Sequence, residues 1–472
     1  MKKTKIVATI GPASEYKETL RTMIREGMNV ARLNFSHGDH AWHEHAIAAV
    51  RAAEKEERTH VGILADLQGP RIRTIMPAPL EIVSGEQISV TDRTDGRRSI
   101  AKEILLDCPG IVARFAIGHE ILIEDGLMRL RVEEVFPDHV VVRVVDGGTI
   151  QNHKGVNVPQ TDVPLPTLTE KDEKDLRFAL GQNIDFIGLS FVRSAQDIQD
   201  VRKRMRAILG REKHMPHIIA KIERREAMEH LSEIVIAADA VMVARGDLGI
   251  EMDESQVVLF QKRIIAESLR TLTPVIVATQ MLQSMITNPR PTRAEVSDVT
   301  NAVIDHTDAV MLSGETTNGR YPLESIRAMR AIIERTEESP FDDVRVAPVT
   351  EKMSEHVRMV RSAVALAREA QAEAIVAFSA SGYTARLLSH FRPERRLLVV
   401  TDNPLTYRQL SLVWGVEAFF DEGKKTPGDF VEGMIRRAIT HGMFRKGQQV
   451  VVVLGGAPGS DALTLVGLHK IV

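Results

Sequence analysis

The chain has 472 residues, room for roughly three domains at about 150 residues each. Hydrophobic residues make up 43% and charged residues 26%, and 61 Lys and Arg against 64 Asp and Glu leave a formal net charge of -3. That balance gives no support to a nucleic-acid or membrane-surface protein, so any anion site must be local. The one cysteine, Cys108, excludes a disulfide framework and a multi-cysteine zinc site and fits a reducing compartment. No apolar run approaches the roughly 18 residues of a membrane span. Met1–Lys5 is basic, but Ile6–Ile10 is too short an apolar stretch for a secretory signal. The expected setting is the cytoplasm. An aromatic content of 4% leaves little for a stacking platform.

In chain order, eight short apolar runs recur: Ile6–Ile10, Val30–Phe35, Val61–Leu67, Phe186–Val192, His217–Glu223, Ala240–Ala244, Pro274–Thr279 and Ala309–Leu312. Most are continuously apolar, as buried parallel strands are. Helical-period stretches follow nearly all of them, among them Glu18–Arg25, His45–Glu57, Ala195–Ile208, Val257–Leu269 and Leu323–Arg335. The alternation predicts an α/β fold, a closed (β/α)8 TIM barrel. The interval between the third and fourth runs is different. Gln87–Asp92, Glu120–Glu124, Leu127–Val135 and His139–Val145 alternate or are β-branched, with turn residues between them. They predict an all-β lid domain inserted over 71–166, leaving through a hinge at Val163-Pro164-Leu165-Pro166. The barrel takes 1–70 and 167–340. From 341 to 472 the pattern restarts as a C-terminal α/β domain: helix Val357–Ala370, strand Ala374–Phe378, helix Thr384–Phe391, strand Leu397–Val400, helices Thr406–Val413 and Phe430–Thr440, strand Val450–Leu454 and a last strand near Leu465–Val472.

A barrel of this kind builds its site at the C-terminal ends of its strands, so the polar residues that close each run carry the functional signal. The second run closes with Arg32, Asn34 and Ser36 on one side, by the two-residue period of a strand. Arg32 suits a phosphate or carboxylate, and a structural ion-pair network suits it equally. The third closes with Asp66, which can hold a cation or orient an arginine, and with Arg73 near the entry to the lid. The fifth closes with Lys221 and Glu223, two apart and facing the same way. The sixth closes with Arg245-Gly246-Asp247, a turn that lets an anion approach backbone N–H groups. Glu223 and Asp247 together suit Mg²⁺, which keeps waters and substrate oxygens in its remaining positions. Read singly, Lys221 with Glu223 is a buried ion pair and Asp247 a helix cap. The seventh and eighth close with Thr279 and with Ser313-Gly314-Glu315, where a hydroxyl and water relay for a proton fits. No Ser-His-Asp order, zinc cluster or Walker A loop competes. Cations and Mg²⁺ around one mouth suit phosphoryl transfer. A Mg²⁺-enolate aldolase, a Schiff-base aldolase using Lys221 and a metabolite-sensing binding protein are the rival readings.

The motifs Ala31–Gly38 (ARLNFSHG), Ile218–Arg224 (IIAKIER), Met242–Gly249 (MVARGDLG), Ala278–Leu282 (ATQML), Pro289–Glu295 (PRPTRAE) and Met311–Thr316 (MLSGET) resemble those of the pyruvate kinases, in family order and over essentially the whole chain. The resemblance implies Mg²⁺- or Mn²⁺-dependent transfer of a phosphoryl group from phosphoenolpyruvate to ADP, giving pyruvate and ATP as the last step of glycolysis. It implies that Arg32 binds the phosphate and Lys221 stabilises the phosphoryl group in flight. Glu223 and Asp247 hold Mg²⁺, and the backbone at Gly246 and Asp247 takes the substrate carboxylate. Thr279 lies beside the enolate carbon, with Ser313 and Glu315 in the proton relay. Asn34, His37, Arg73, Lys154 and Lys171 face the nucleotide, and Asp125 of the lid meets a second metal on closure. Relatives bind K⁺ through the residues matching Asn34, Ser36 and Asp66, with a glutamate where this chain has Arg71; the arginine implies activity without K⁺. Asn318 stands where relatives often carry lysine. The family further implies a homotetramer and a phosphorylated effector held by Ser379, Ser381, Gly382, Tyr383 and Thr384, while the final loop Gly455–Asp461 lacks the threonine-rich continuation of relatives.

Overall fold

The structure is a computed structural model that describes residues 2–92, 102–161, 163, 166–210, 215–342, 355–422, 426–454 and 465–472. Eight parallel strands close into a barrel: Lys5–Thr9, Val30–Asn34, Gly62–Asp66, Phe186–Leu189, His217–Ile222, Ala240–Ala244, Val275–Ala278 and Ala309–Leu312. Each pairs with the next in chain order, and the last closes on the first. The predicted barrel is therefore present. Its strands obey the two-residue period. Ala31, Leu33, Ala220 and Ile222 face outward into the shell of helices. Val30, Leu64, Ile219, Met242, Ile276 and Met311 face inward and fill the barrel. The same parity carries Arg32, Asp66 and Lys221 to the inner side, above that apolar fill.

Helix starts follow local chemistry. His40–Glu57 begins five residues before the expected His45, because the Asp39 carboxylate accepts from the Trp42 amide and caps the helix there. Glu170–Gly181 opens on a reciprocal capping box between Thr169 and Asp172.

Between the third and fourth barrel strands, seven strands form a second closed barrel, with a separate pair of Leu80–Ile82 and Gly148–Ile150. Met128, Leu130 and Val132 point into its core while Arg129 and Arg131 point out. Of the expected hinge, Pro164 and Leu165 lie outside the described residues.

The C-terminal unit is a five-stranded sheet ordered Val416–Phe420, Arg396–Thr401, Ala374–Phe378, Gln449–Leu454 and Leu465–Lys470, the last antiparallel to its neighbour. The strand Val416–Phe420 was absent from the sequence expectation. The helix expected at Thr406–Val413 is instead a shorter helix, Pro404–Gln409, followed by a 3-10 turn at Leu410–Leu412. That turn docks on the floor of the catalytic barrel. Leu412 joins the inner apolar fill. A Cβ on Gly62 would lie 2.4 Å from Ser411 Oγ and 2.7 Å from the Phe186 ring, so only glycine admits the approach. Arg408 adds an ion pair to buried Asp185 at 2.6 Å, on the carboxylate that Arg51 also holds. The loop Gly455–Asp461 lies outside the described residues.

Candidate active site

The barrel mouth carries one connected polar cluster built from five strand ends. Arg32 donates through Nε to Asp66 Oδ2 at 2.7 Å and through an Nη to Thr9 Oγ1 at 3.0 Å. The other Asp66 oxygen lies 3.3 Å from Lys221 Nζ. Lys221 Nζ is 2.9 Å from Glu223 Oε1 and donates to Ser190 Oγ at 2.7 Å. Glu223 Oε2 accepts from the Phe191 amide at 2.7 Å. Asp66, Lys221 and Glu223 are buried and Arg32 is half-buried. Gly188 makes room for the cluster, since a Cβ there would meet Asp66 Oδ1 at 2.7 Å.

Such burial would be prohibitive for isolated charges, and the cluster offsets it by pairing. Burial alone would push the Asp66 carboxyl up, but Lys221 and Arg32 outweigh it and hold it below the ordinary carboxylate range. Burial works against the Lys221 ammonium, but Asp66 and Glu223 outweigh that and raise it. Glu223 goes the other way: burial, joined by the negative charge of Asp247, overcomes Lys221 and raises its carboxyl.

Asp247 sits in the first turn of the helix Arg245–Glu251, directly after the sixth strand. Its Oδ1 is held by Arg71 at 2.7 Å. The Gly246 amide donates to Thr279 Oγ1 at 2.8 Å, which ties the sixth strand end to the seventh. Thr279 and Gln280 both adopt left-handed backbone, at φ 70 and φ 53. Strain of this kind gathers at functional sites and persists only where surroundings over-determine it. Buried Arg245 does so: it donates to the Thr279 carbonyl at 2.7 and 3.2 Å and is anchored on Asp298 at 2.7 Å. Glu315 is fully buried and accepts from the Ser313 amide at 2.8 Å and the Leu282 amide at 3.0 Å, while the Ser313 hydroxyl has no hydrogen-bond partner.

A cleft of about 1310 Å³ opens beside the cluster, between lid and barrel. Asp247 and Gln280 line its barrel side, Leu122, Asp125 and Gly126 its lid side, and Arg71 the junction between them. Arg32, Lys221, Glu223 and Thr279 lie outside that lining. The other expected nucleotide residues are dispersed. Arg73 donates to the His153 carbonyl at 3.1 Å, and Lys154 pairs with Glu124 within the lid. Lys171 stands on the barrel, 2.6 Å from Asp175 and bonded to the Phe35 carbonyl. His37 and Ser36 are exposed, and Asn34 Oδ1 accepts from the Ser36 amide at 3.1 Å. Arg71 reaches Asp247 rather than the group formed by Asn34, Ser36 and Asp66. Asn318 is exposed.

Sequence reasoning passed over Thr9, Ser190, Phe191 and Arg245. Ser190 and Phe191 close the fourth apolar run, so the strand-end rule applied to that run finds them. Arg245 lies inside a motif already singled out, but its burial becomes visible only once Thr279 and Asp298 are neighbours.

The donor set fits a hard divalent cation. Glu223 and Asp247 are two carboxylates of one mouth, each held by a cation, Lys221 on Glu223 and Arg71 on Asp247, and the negative charge of Asp247 works against ionisation of Glu223, a repulsion that a divalent ion would relieve. Among the described residues no cluster of three or more His, Cys, Asp or Glu is gathered as a metal site. In the C-terminal unit, the strand Ala374–Phe378 leads through Ser379–Gly382 into the helix Tyr383–His390, with Gly382 at φ 76 and Thr406 Oγ1 donating to the Ala380 carbonyl at 2.9 Å.

A (β/α)8 barrel whose mouth gathers an arginine, a lysine and two carboxylates fits a phosphotransferase. The pyruvate kinase barrel domain profile matches residues 1–326, and the pyruvate kinase alpha/beta domain profile matches 358–465. The chain is 39% identical to a pyruvate kinase of Sporosarcina psychrophila over 100% of its own length and 81% of the relative's. It is 40% identical to a pyruvate kinase of Mycobacterium intracellulare, covering 99% of this chain and 98% of that one. The crystal structure of a pyruvate kinase from Cryptosporidium parvum superposes with a TM-score of 0.92 at 32% identity, over 99% of this chain and 96% of that one. The chain belongs to the pyruvate kinase family. Its activity is accordingly glycolytic, with phosphoenolpyruvate and ADP as substrates, in a family that uses a divalent metal. Among the described residues no helix is long and apolar enough to cross a membrane.

Proposed function

We propose that the cluster at the barrel mouth performs Mg²⁺-dependent phosphoryl transfer in the cytoplasm, with Mn²⁺ as a substitute. Glu223 and Asp247 hold the metal, which when bound supplies charge neutralisation to the transferring group. Arg32 grips the phosphate of phosphoenolpyruvate as a fork already oriented by Asp66 and Thr9. Lys221 lies between Asp66 and Glu223 and carries the positive charge that follows the phosphoryl group between oxygens. The Asp247 amide receives the substrate carboxylate, joined by the Gly246 amide once substrate draws it from Thr279 Oγ1. Thr279, Ser313 and Glu315 deliver a proton to the enolate carbon through water. Arg73, Lys154, Lys171, Asn34 and His37 serve the nucleotide after the lid closes, bringing Asp125 to a second metal and excluding water from the transfer. This reading takes the barrel as 1–70 and 167–340, the lid as 71–166 and the regulatory unit as 341–472. It includes a homotetramer and a phosphorylated effector on Ser379, Ser381, Gly382, Tyr383 and Thr384.

The observation that carries the proposal is the unbroken chain Thr9–Arg32–Asp66–Lys221–Glu223, in which residues more than two hundred positions apart share one buried network. Activity without K⁺ is part of the same proposal. Both Asp66 oxygens already face cations, and Arg71 brings a further positive charge to the mouth. A lactate dehydrogenase-coupled assay with phosphoenolpyruvate, ADP and Mg²⁺ in tetramethylammonium buffer tests both points. Full turnover is expected without K⁺. Turnover that collapses and returns with K⁺ alone overturns the monovalent claim, and no turnover under either condition overturns the site.

A further inference from the structure

Arg71 occupies an unusual position. It lies five residues past the third barrel strand, which ends at Asp66, and directly precedes the first lid strand, Ile72–Ile75, so it stands at the root of the lid. Its guanidinium holds Asp247 Oδ1 at 2.7 Å, across the mouth of the barrel. The same guanidinium lies over the Phe191 ring, 5.6 Å from the centroid. Phe191 is held in left-handed backbone at φ 55, and its amide donates to Glu223 Oε2. Two residues before Arg71, Gly69 rests against the same segment: a Cβ there would come within 2.7 Å of Ser190 Cβ and 2.9 Å of the Phe191 ring. Ser190 is the hydroxyl that receives the Lys221 ammonium. The lid root thus touches one metal-competent carboxylate directly, and the other through the residue that hydrogen-bonds it.

A guanidinium and a divalent cation on one small, half-buried carboxylate repel each other, so each weakens the other's hold. We propose that Arg71 is a latch: it holds Asp247, a divalent ion displaces it, and the displacement frees the lid root to move. Metal loading and lid movement are then two readings of one event, with Arg71 as a positioning residue that couples them. The inference rests on the reading of Glu223 and Asp247 as metal ligands.

Binding of Mn²⁺ to the full chain, without phosphoenolpyruvate or nucleotide and followed by the electron paramagnetic resonance of free Mn²⁺, tests the latch. A competing guanidinium of this exposure weakens the ion by about two- to fivefold, the range of half-exposed ion pairs. Arg71→Gln is expected to tighten Mn²⁺ by that factor, and Arg71→Lys to return it toward the starting value. Hydrogen exchange over 72–75 and 120–129 is expected to rise on adding Mn²⁺ to the unaltered chain. In Arg71→Gln it is expected to be high already and unmoved by Mn²⁺. Glu223→Gln and Asp247→Asn separate the two levels of the argument. If both lose Mn²⁺ while Arg71→Gln binds it no more tightly than the unaltered chain, the latch is wrong and the metal site stands. If neither changes Mn²⁺ binding, the metal reading fails and the latch with it.

Discussion

The two ends of the catalytic barrel are made by the same eight strands and are chemically opposite. At the mouth, Arg32, Asp66, Lys221 and Glu223 are charged, paired and arranged around an opening. At the floor, Val7, Val30, Leu64 and Phe186 are apolar, and the opening is stopped by Leu412 from the C-terminal unit. The strand His217–Ile222 states the contrast within six residues: His217 faces the C-terminal unit, Ile219 fills the barrel and Lys221 enters the site. The mouth spends stability to hold charges where substrate needs them, whereas the floor supplies stability and joins the two units. Changes at the two ends should therefore separate activity from folding.

The sharpest break is Lys221→Met. Removing a charge that acts chiefly in the transition state should lower kcat by at least about a hundredfold while the thermal unfolding profile stays cooperative. Turnover near that of the unaltered chain in the coupled assay removes the lysine from the mechanism. The mirror change is Leu412→Ala on the floor. It deletes a side chain 2% exposed and should lower stability by about 2–4 kcal/mol, read by denaturant unfolding, with KM for phosphoenolpyruvate little altered. A variant that folds normally but loses substrate affinity would erase the division between the ends.

Acid sharpens the comparison. Burial lowers His217 to about 4; Asp239 opposes the shift, while Arg386 and Arg202 add to it. Burial and Arg392 lower His390 to about 4 as well. A histidine lowered on folding contributes stability present above 6.5 and lost as the pH falls from there through about 4. Over that window Asp66, held below the ordinary carboxylate range, keeps its charge. Unfolding midpoints should fall between pH 6.5 and 4, and His217→Gln should flatten part of that slope; an unchanged slope contradicts the assignment. The smallest effect belongs to neither end. Arg335 and Glu338 form a surface pair with side chains 86% and 63% exposed, and Arg335→Ala should shift stability by no more than about 0.5 kcal/mol in the same measurement.

The mouth was more legible in the sequence than the floor, for a physical reason. Strand parity and the strand-end rule depend only on spacing along the chain, so Arg32, Asp66, Lys221 and Glu223 could be placed on one side before any neighbour was known. What parity cannot supply is which groups meet. Ser190 as the acceptor of Lys221, Phe191 as the donor to Glu223, and Arg71 on Asp247 all depend on strand order and on the path of the chain into the lid. Leu412 was illegible because its role is contact between distant segments; in sequence it is one more leucine in a helical stretch. Four lid strands were legible from alternation, as at Met128–Val135, whereas Ile72–Ile75, Leu80–Ile82, Glu103–Leu106, Gly148–Ile150 and Gly155–Asn157 are too short to show it. The start of the helix at His40 was set by one capping carboxylate, Asp39, which periodicity does not register.

The central claim is that one small cup serves phosphate and metal together. Titrating phosphoenolpyruvate into the full chain in saturating Mg²⁺, for Arg32→Ala, Glu223→Gln and the double variant, addresses it directly. Two groups that share one bound molecule are coupled, so the double variant should weaken binding by clearly less than the product of the single effects. Effects that multiply without coupling, or single variants that bind as the unaltered chain does, would contradict a shared site.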